Sequence, residues 1–326
     1  MHFTPLILAA GLATLATAHP HHDLPSSEIA RRSALSKRCA SVAGEMNKKR
    51  YNKRMAEKRA TIGARSNSTV QITTEAPFYN VIQNDTCILT PEVTTGPYIY
   101  PQSQTLRQDM REGQAGVPLT LDIGLLDMAT CEPLSNALVD MWHCNATGSY
   151  SSFEALDPNT PFVELLQELN ITDYEIGQTD LHTGDTTFLR GMWPSDQNGM
   201  LEMKTVFPGF YVERAIHIHT RVYTNWTLRA NGTVVSRDVV STGQLFFGEE
   251  LSEQIMALDP YATHTEINRT TNAVDTLFPI EGKNGFNPVV SVVAEDGVNV
   301  ENGMVGYITL GVDTTAIETT ILDGLD

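Results

Sequence analysis

Two histidines, His217 and His219, have the spacing in this sequence that most clearly suggests chemistry. On a β-strand, residues two apart project to the same face, so Ile216 and Ile218 would point to the opposite, apolar side. Two neighbouring imidazoles form half of a metal site more often than they form a pair of hydrogen-bonded core histidines, which is the alternative. The spacing does not select the metal, because zinc hydrolases and cupin-type iron proteins both use His-x-His, completed by a carboxylate or a third histidine. No carboxylate follows closely here, since the next acidic residue after His219 is Asp238.

Tyrosine is a better candidate than a carboxylate for the next ligand. Tyr211 lies six residues before His217, after a Pro208-Gly209 turn that leads into the same predicted strand. A phenolate is a hard oxygen donor, which suits Fe(III) better than zinc. Taken alone, however, Tyr211 is one of ten tyrosines, and the alternative is that it simply packs at the end of a sheet.

The elements that must position these residues are predicted to be mainly β-strands. Short apolar runs with strand periodicity are separated by turn signals such as Asn231-Gly232. Several short strands with long connections predict an antiparallel β-sandwich core with long connecting loops and a few short helices. The predicted strands are 119–125, 137–144, 215–223, 244–247, 288–293 and 307–312, and the predicted helices are 162–169 and 249–258.

Composition and charge exclude several classes of protein. The chain has 326 residues, of which 41% are hydrophobic and 19% charged, as in ordinary globular proteins. Its formal net charge of −17 is the opposite of what a nucleic-acid-binding protein carries. Beyond the first twenty residues, no apolar run approaches the roughly 18 residues needed to span a bilayer. The sequence therefore predicts no nucleic-acid partner and no membrane partner.

The N-terminal end has the features of a secretory signal. An apolar stretch over residues 6–15 precedes Ala16-Thr17-Ala18, a small-x-small cleavage site. We therefore expect residues 1–18 to be a signal peptide and the protein to be secreted and extracellular. Seven Asn-x-Ser/Thr sequons fit a secreted glycoprotein, at Asn67, Asn84, Asn145, Asn170, Asn225, Asn231 and Asn268.

A basic segment separates the signal from the acidic body of the chain. Residues 39–65 contain eight Lys or Arg against two Glu and no proline, which predicts a helix. We interpret residues 19–65 as a propeptide or a basic helical arm, either lying on the acidic body or solvated as an appendage. The pair Lys37-Arg38 suits a second processing cut. Residues 66–326 are predicted to form a single domain.

The four cysteines predict disulfides if the protein is exported. An even number in an oxidising compartment suggests two bridges, and three pairings are open. The cysteines are Cys39, Cys87, Cys131 and Cys144.

A set of short motifs lies along residues 85–250. It includes Thr95-Gly96-Pro97-Tyr98 and the run from Val139-Asp140-Met141-Trp142 through Gly148-Ser149-Tyr150. These motifs resemble the Gly-Pro-Tyr element and the Asp-x-Trp strand, small-residue turn and Gly-x-Tyr of the intradiol ring-cleavage dioxygenase family. The resemblance is greatest to a secreted fungal branch, related to the catechol and protocatechuate dioxygenases. The remaining motifs follow in the family's order: Phe188-Leu189-Arg190-Gly191, Asp196-x-x-Gly199, Pro208-Gly209-x-Tyr211, Arg214-x-x-His217-x-His219 and Gln244-Leu245-Phe246-Phe247.

The resemblance implies a complete active site. Arg214 would stabilise developing negative charge, Tyr211 would also act catalytically by taking a proton from the diol, and Tyr98 and Gln244 would contact the substrate. The implied reaction is cleavage of a catechol-type diol by O2 to a cis,cis-muconate-type diacid. The implied ligands of a non-haem Fe(III) are Tyr150, Tyr211, His217 and His219.

The sequence departs from the bacterial members at several points. Ser149 stands where a basic residue often precedes the tyrosine, Ala215 replaces a common proline, and an insertion with sequons Asn225 and Asn231 lies between His219 and Gln244. Because a glycan at Asn145 would crowd the site, we expect that sequon to be unmodified.

Two other functions are alternatives at this point, and the sequence also carries an expectation about the oligomeric state. The first alternative is another metalloenzyme, such as a zinc hydrolase that uses His217 and His219, and the second is a non-catalytic secreted binding sandwich. No long helical dimerisation domain is evident, so a monomer or weak dimer is expected.

Overall fold

The computed structural model describes residues 26–63, 93, 95–100, 105–177, 179–282, 287–316 and 318–319. Most of the described chain after residue 117 forms strands in two sheets. The helices are α1 (Ser26–Gly63), α2 (Phe162–Glu168), α3 (Glu249–Met256) and α4 (Phe278–Glu281). The strands are β1 (Pro118–Asp127), β2 (Glu132–Pro133), β3 (Leu138–Trp142), β4 (Arg190–Pro194), β5 (Met200–Val206), β6 (His217–Leu228), β7 (Val234–Phe246), β8 (Ser291–Ala294), β9 (Met304–Val312) and β10 (Glu318–Thr319).

The first sheet has the strand order β2-β1-β9-β8, and β5 also pairs with β1. Its pairs are antiparallel except for β1 and β9, which run parallel from Leu119 opposite Met304 to Asp127 opposite Val312. The predicted mainly β fold is confirmed, and this parallel pair is its one departure from an antiparallel pattern among the described strands.

The second sheet has the order β10-β7-β6-β3-β4 and is antiparallel throughout. Its central feature is the long β6–β7 hairpin, whose turn contains Asn231-Gly232, with Gly232 at a φ of 85°. The register places His219 opposite Trp142 on one neighbouring strand and opposite Gln244 on the other. Three residues that the sequence singles out are therefore adjacent on one sheet.

The main hydrophobic core lies between the two sheets. Alternate residues of β1, β5 and β9 meet alternate residues of β3, β6 and β7, as expected for facing sheets with period-2 strands. The outer face of each sheet is therefore left for other elements to cover. Members of this core include Leu121, Ile123, Met203 and Ile308 from the first sheet and Val139, Met141, Ile218 and Leu245 from the second.

The helix α1 covers the outer face of the first sheet. A stripe at helical spacing (Cys39, Ala43, Met46, Asn47 and Arg50) is buried, although the sequence around it is strongly basic. Gly124 on β1 makes room for this stripe, because a Cβ there would lie 1.8 Å from Arg50 Nη1. The described part of the arm, α1, thus lies on the body of the protein and is not a solvated appendage. No described helix, α1 included, is both long and apolar enough to cross a bilayer.

An ion pair fixes the centre of α1 to the sheet. Arg50 Nε lies 3.1 Å from Asp122 Oδ1, and Arg50 Nη2 donates to the carbonyl oxygen of Ile308 at 3.0 Å. Burial lowers the pKa of Arg50 to about 10, against the opposing effect of Asp122. One turn later, Arg54 pairs with Asp122 at 3.5 Å and with Glu202. The acidic surface therefore accepts the basic helix directly.

A disulfide joins the N-terminal half of α1 to the turn after β1. Cys39 is bonded to Cys131, with 5.2 Å between their Cα atoms. Cys144 is a buried free thiol, so the expectation that the four cysteines form two bridges is wrong for this residue, and Cys87 lies outside the described residues. A cut after Arg38 would leave Cys39 and the buried stripe attached, and that processing stays a prediction.

We expect Arg50→Met to destabilise the protein by about 3 to 5 kcal/mol, because it leaves Asp122 partly buried with only Arg54 as a more distant cation. The free energy of unfolding in urea measures this loss. Lys48→Met, at an exposed position of the same helix, is the control and should change it by less than about 0.5 kcal/mol. Equal losses in the two variants would show that the ion pair does not hold the helix.

Candidate active site

The alternation of β6 places both histidines on the outer face of the second sheet. His217 and His219 are 2% and 1% exposed, while Ile216 and Ile218 belong to the core on the other side. His217 Nδ1 lies 2.6 Å from the carbonyl oxygen of Ala215 and must donate to it, since a carbonyl only accepts. The lone pair of His217 is therefore on Nε2, which lies 3.1 Å from His219 Nε2.

Two tyrosines bring their hydroxyls to the same place. Tyr211 Oη is 3.3 Å from His217 Nε2, and the rings of Tyr211 and Tyr150 have centroids 5.6 Å apart. The Tyr150 hydroxyl is buried and makes no hydrogen bond of ordinary geometry among the described residues. The four predicted ligands, two phenols and two imidazoles, thus form one cluster in the fold.

Two glycines explain why the tyrosines meet. Gly209 N donates to the carbonyl oxygen of Asn145 at 3.1 Å, so the loop before Tyr211 lies directly against the turn before Tyr150. A Cβ on Gly209 would come within 2.5 Å of the Asn145 oxygen, and a Cβ on Gly148 within 2.3 Å of the Phe210 oxygen. The Gly-x-Tyr spacing of both motifs therefore allows the two backbones to touch.

Without a bound cation, the protein interior strongly disfavours the anionic form of both tyrosine side chains. Burial raises the pKa of Tyr150 well above its usual value. Burial raises the pKa of Tyr211 to about 12, although the charge of Arg214 acts in the opposite direction. Both residues are therefore neutral phenols near pH 7 unless a strongly charged cation stabilises their phenolates.

The donor set fits a hard trivalent metal ion. In the described part of the chain, no three His, Cys, Asp or Glu side chains are grouped so as to hold a metal. A site at His217 and His219 therefore needs the phenols, which are the hard oxygen donors that Fe(III) prefers. Neighbouring ligands on bonds of about 2.1 Å lie about 3 Å apart, and the two Nε2 atoms are separated by 3.1 Å.

Arg214 and Gln244 lie beside this cluster. Arg214 is 1% exposed, and its Nη2 donates to Gln244 Oε1 at 2.5 Å. Its Nε donates to Asp275 Oδ2 at 2.9 Å, while Nη1 is buried and makes no hydrogen bond to the described residues. A guanidinium with one donor group still available, next to the candidate ligands, can stabilise negative charge on a bound substrate.

Aromatic rings enclose the cluster. Tyr98 stacks on Tyr150 with centroids 4.2 Å apart and meets Tyr211 edge-on at 5.5 Å. Trp142 stacks on His219 at 4.8 Å and is 2% exposed. These contacts fix the planes of three of the four candidate ligands.

The comparisons with known proteins agree with this geometry. A dioxygenase family model (Dioxygenase_C) matches residues 94–230. The chain is 27% identical to an intradiol ring-cleavage dioxygenase from the mite Tetranychus urticae, covering 70% of this chain and 96% of that one with a TM-score of 0.53. A second solved dioxygenase is 26% identical over 72% of this chain and 98% of that one, with a TM-score of 0.55. No protein of curated function matches the chain.

The predicted resemblance is thereby confirmed. Over residues 94–230 and in its fold, the chain is similar to the intradiol ring-cleavage dioxygenases. Its assignment to a secreted fungal branch stays a prediction, since the two matches above do not test it.

The structure brings together every site residue that the sequence predicted, and it adds others. Arg190 is 3% exposed, donates to Ser151 Oγ at 2.8 Å, and lies 6.0 Å from the Tyr150 ring centroid. Its place in the Phe188–Gly191 motif was a usable signal for a role at the site. Asp275 had no such signal, because it lies outside every motif and touches Arg214 only through the fold.

His143 is not part of the cluster, although it follows Trp142 directly in the chain. It is fully buried, with Nε2 2.6 Å from Thr205 Oγ1 and Nδ1 2.7 Å from the Cys144 carbonyl oxygen. Burial lowers its pKa to about 4, so the ring is neutral near pH 7.

We expect Gly209→Ala to reduce Fe(III) binding at the candidate ligands about 10-fold or more, because the new Cβ forces the Tyr211 loop away from the Tyr150 turn. Iron per chain after reconstitution and dialysis measures the effect. Gly248→Ala is the matched control, since a Cβ there meets no atom within 4 Å. Unchanged iron content in Gly209→Ala would contradict the packing argument.

Proposed function

We propose that the protein is a secreted, non-haem Fe(III) intradiol dioxygenase that acts on catechol-type diols. The similarity to intradiol ring-cleavage dioxygenases supports ring cleavage between two hydroxylated carbons. The iron, the substrate class and the location are our proposal. Its main support is the convergence of the Tyr150 and Tyr211 phenols with the Nε2 atoms of His217 and His219.

The proposed reaction adds both atoms of O2 to the diol. Catechol plus O2 gives cis,cis-muconic acid, with one ring carbon–carbon bond broken and no other oxidant or reductant needed. Bound Fe(III) would act as a Lewis acid that favours the doubly deprotonated diol. The ligands would be Tyr150, Tyr211, His217 and His219.

The chain's own residues supply the proton acceptor and the charge stabilisation. Tyr211 Oη is a suitable acceptor for one diol proton, because a free phenolate in this buried place has a pKa raised to about 12. Arg214 provides a desolvated cation with an uncommitted Nη1. Such a cation stabilises a developing negative charge most strongly where water is excluded. Gln244 and Tyr98 contact this arrangement and would orient the diol.

The two alternatives are less well supported. A zinc hydrolase needs a third histidine or a carboxylate beside His217 and His219, and the described residues bring none into such a group. A binding module without activity would not need to keep two phenols, two imidazoles and a guanidinium in one buried cluster. Metal analysis of the purified protein separates the zinc enzyme from our proposal.

We expect the iron-loaded protein to have a visible phenolate-to-iron charge-transfer band that shifts when catechol is added without oxygen. Tyr150→Phe and Tyr211→Phe should each weaken or shift this band, and each should lower oxygen uptake with catechol by at least about 100-fold. Tyr51→Phe, in α1 and remote from the cluster, is the control. A protein that stays colourless after iron reconstitution would refute the proposal.

We also expect Asn145 to carry no glycan when the secreted protein is mapped by glycopeptide mass spectrometry. Asn145 Oδ1 accepts from Thr147 N and Ser149 N at 3.1 and 3.0 Å, and the residue lies against the Tyr211 loop. Asn225, Asn231 and Asn268 are exposed and serve as internal comparisons. Full occupancy at Asn145 would contradict the expected crowding.

A further inference from the structure

The partner of Arg214 is a carboxylate that no motif includes. Arg214 Nε donates to Asp275 Oδ2 at 2.9 Å, and both side chains are almost completely buried, at 1% and 0% exposure. Arg214 Nη2 lies 3.5 Å from Asp275 Oδ1 and 2.5 Å from Gln244 Oε1. Two of the three guanidinium nitrogens are thus committed to protein acceptors, and Nη1 is not.

Asp275 is itself held firmly in place. Its Oδ2 also accepts from Ala215 N at 2.8 Å, and its Oδ1 accepts from Leu277 N and Phe278 N at 2.8 Å each. Burial alone would raise the pKa of Asp275, but Arg214 and the hydrogen bond from Ala215 N lower it to about 2. The carboxylate is therefore an anion near pH 7, and three backbone groups set its position.

The segment that carries Asp275 is anchored along the same side of the site. Tyr261 Oη donates to the carbonyl oxygen of Phe207 at 2.7 Å, and His264 stacks on Phe210 with centroids 4.4 Å apart. Asn272 Nδ2 donates to the carbonyl oxygen of Phe247 at 2.8 Å. The segment lies beyond residues 94–230, which the family model matches, yet it braces the Tyr211 loop and reaches Arg214.

We propose that Asp275 is a positioning residue of the reaction. It holds the Arg214 guanidinium in one orientation, so that the uncommitted Nη1 stays available to the negative charge that develops on the bound diol. This inference rests on the proposed function, since it assigns a role within that same site. A bidentate carboxylate suits the task because it fixes the plane of the guanidinium as well as its distance.

A purely stabilising role is the alternative to be tested. Buried ion pairs contribute little net stability compared with apolar replacements, although removing one partner is costly. Any effect of an Asp275 variant must therefore be compared with that of a similar pair elsewhere. Arg50 and Asp122 provide it, because they form a buried ion pair on the opposite sheet, under α1.

The experiment uses the full-length iron-loaded protein, with Asp275→Asn as the test and Asp122→Asn as the matched control. We expect Asp275→Asn to lower kcat for catechol by about 10- to 100-fold while iron content and anaerobic catechol affinity stay close to wild type. Asp122→Asn should lower the melting temperature of the apoprotein but leave kcat unchanged. If Asp275→Asn does not fold, Asp275→Ser keeps an acceptor for the backbone groups and takes its place.

A double-variant cycle decides whether Asp275 acts through Arg214. We expect Asp275→Asn/Arg214→Met to have the same kcat as Arg214→Met alone, because the carboxylate has nothing left to position. Multiplicative losses, or a kcat for Asp275→Asn equal to that of the control, would overturn the inference. A wild-type protein with neither a charge-transfer band nor oxygen uptake would instead refute the proposed function, which is a different and separately visible result.

Discussion

The site depends on the burial of ionisable groups where water cannot reach them. Tyr150 and Tyr211 would each be a neutral phenol in such surroundings, because burial raises the pKa of both. The Tyr211 hydroxyl nevertheless lies at hydrogen-bond distance from His217 Nε2, which in turn lies 3.1 Å from His219 Nε2. An arrangement of this kind is stable as a set of anionic ligands only when a strong cation shares it, which is the physical reason for connecting this cluster with Fe(III).

On each sheet a buried arginine is neutralised by a paired aspartate, and the two ion pairs have different consequences. Under α1, Arg50 and Asp122 form a buried pair that holds a helix against an acidic body. Beside the candidate ligands, Arg214 and Asp275 form a second pair. Both arginines leave a buried Nη1 without a hydrogen bond to the described residues, but only Arg214 lies beside the candidate ligands, where its Nη2 also donates to Gln244 Oε1. The same interaction therefore holds a helix at one place and lies beside the candidate site at the other.

Local patterns in the sequence were enough to predict individual strands and helices and the face on which each side chain lies. The alternation of Ile216, His217, Ile218 and His219 predicted both the strand and the face of each side chain, and the two short helices were found within a few residues. The strands β4 and β5 were not predicted. The parallel pairing of β1 with β9 also lay beyond local patterns, because it joins segments almost 200 residues apart. The motifs identified the candidate ligands because each ligand lies inside its own short motif.

The parts that could not be predicted are contacts made through space. A basic segment suggests exposure, yet Arg50 is buried because Gly124 leaves space for it and Asp122 neutralises it. Asp275 is a stronger case, because the role proposed for it depends on its contact with Arg214, which is distant in sequence. Before substrate binds, this carboxylate pairs with Arg214, which would otherwise be an unpaired cation in the interior. In the proposed reaction, the negative charge that develops on the diol would meet a guanidinium that is already oriented, so that little reorganisation would be needed. A group can thus shape an active site while containing none of its chemistry.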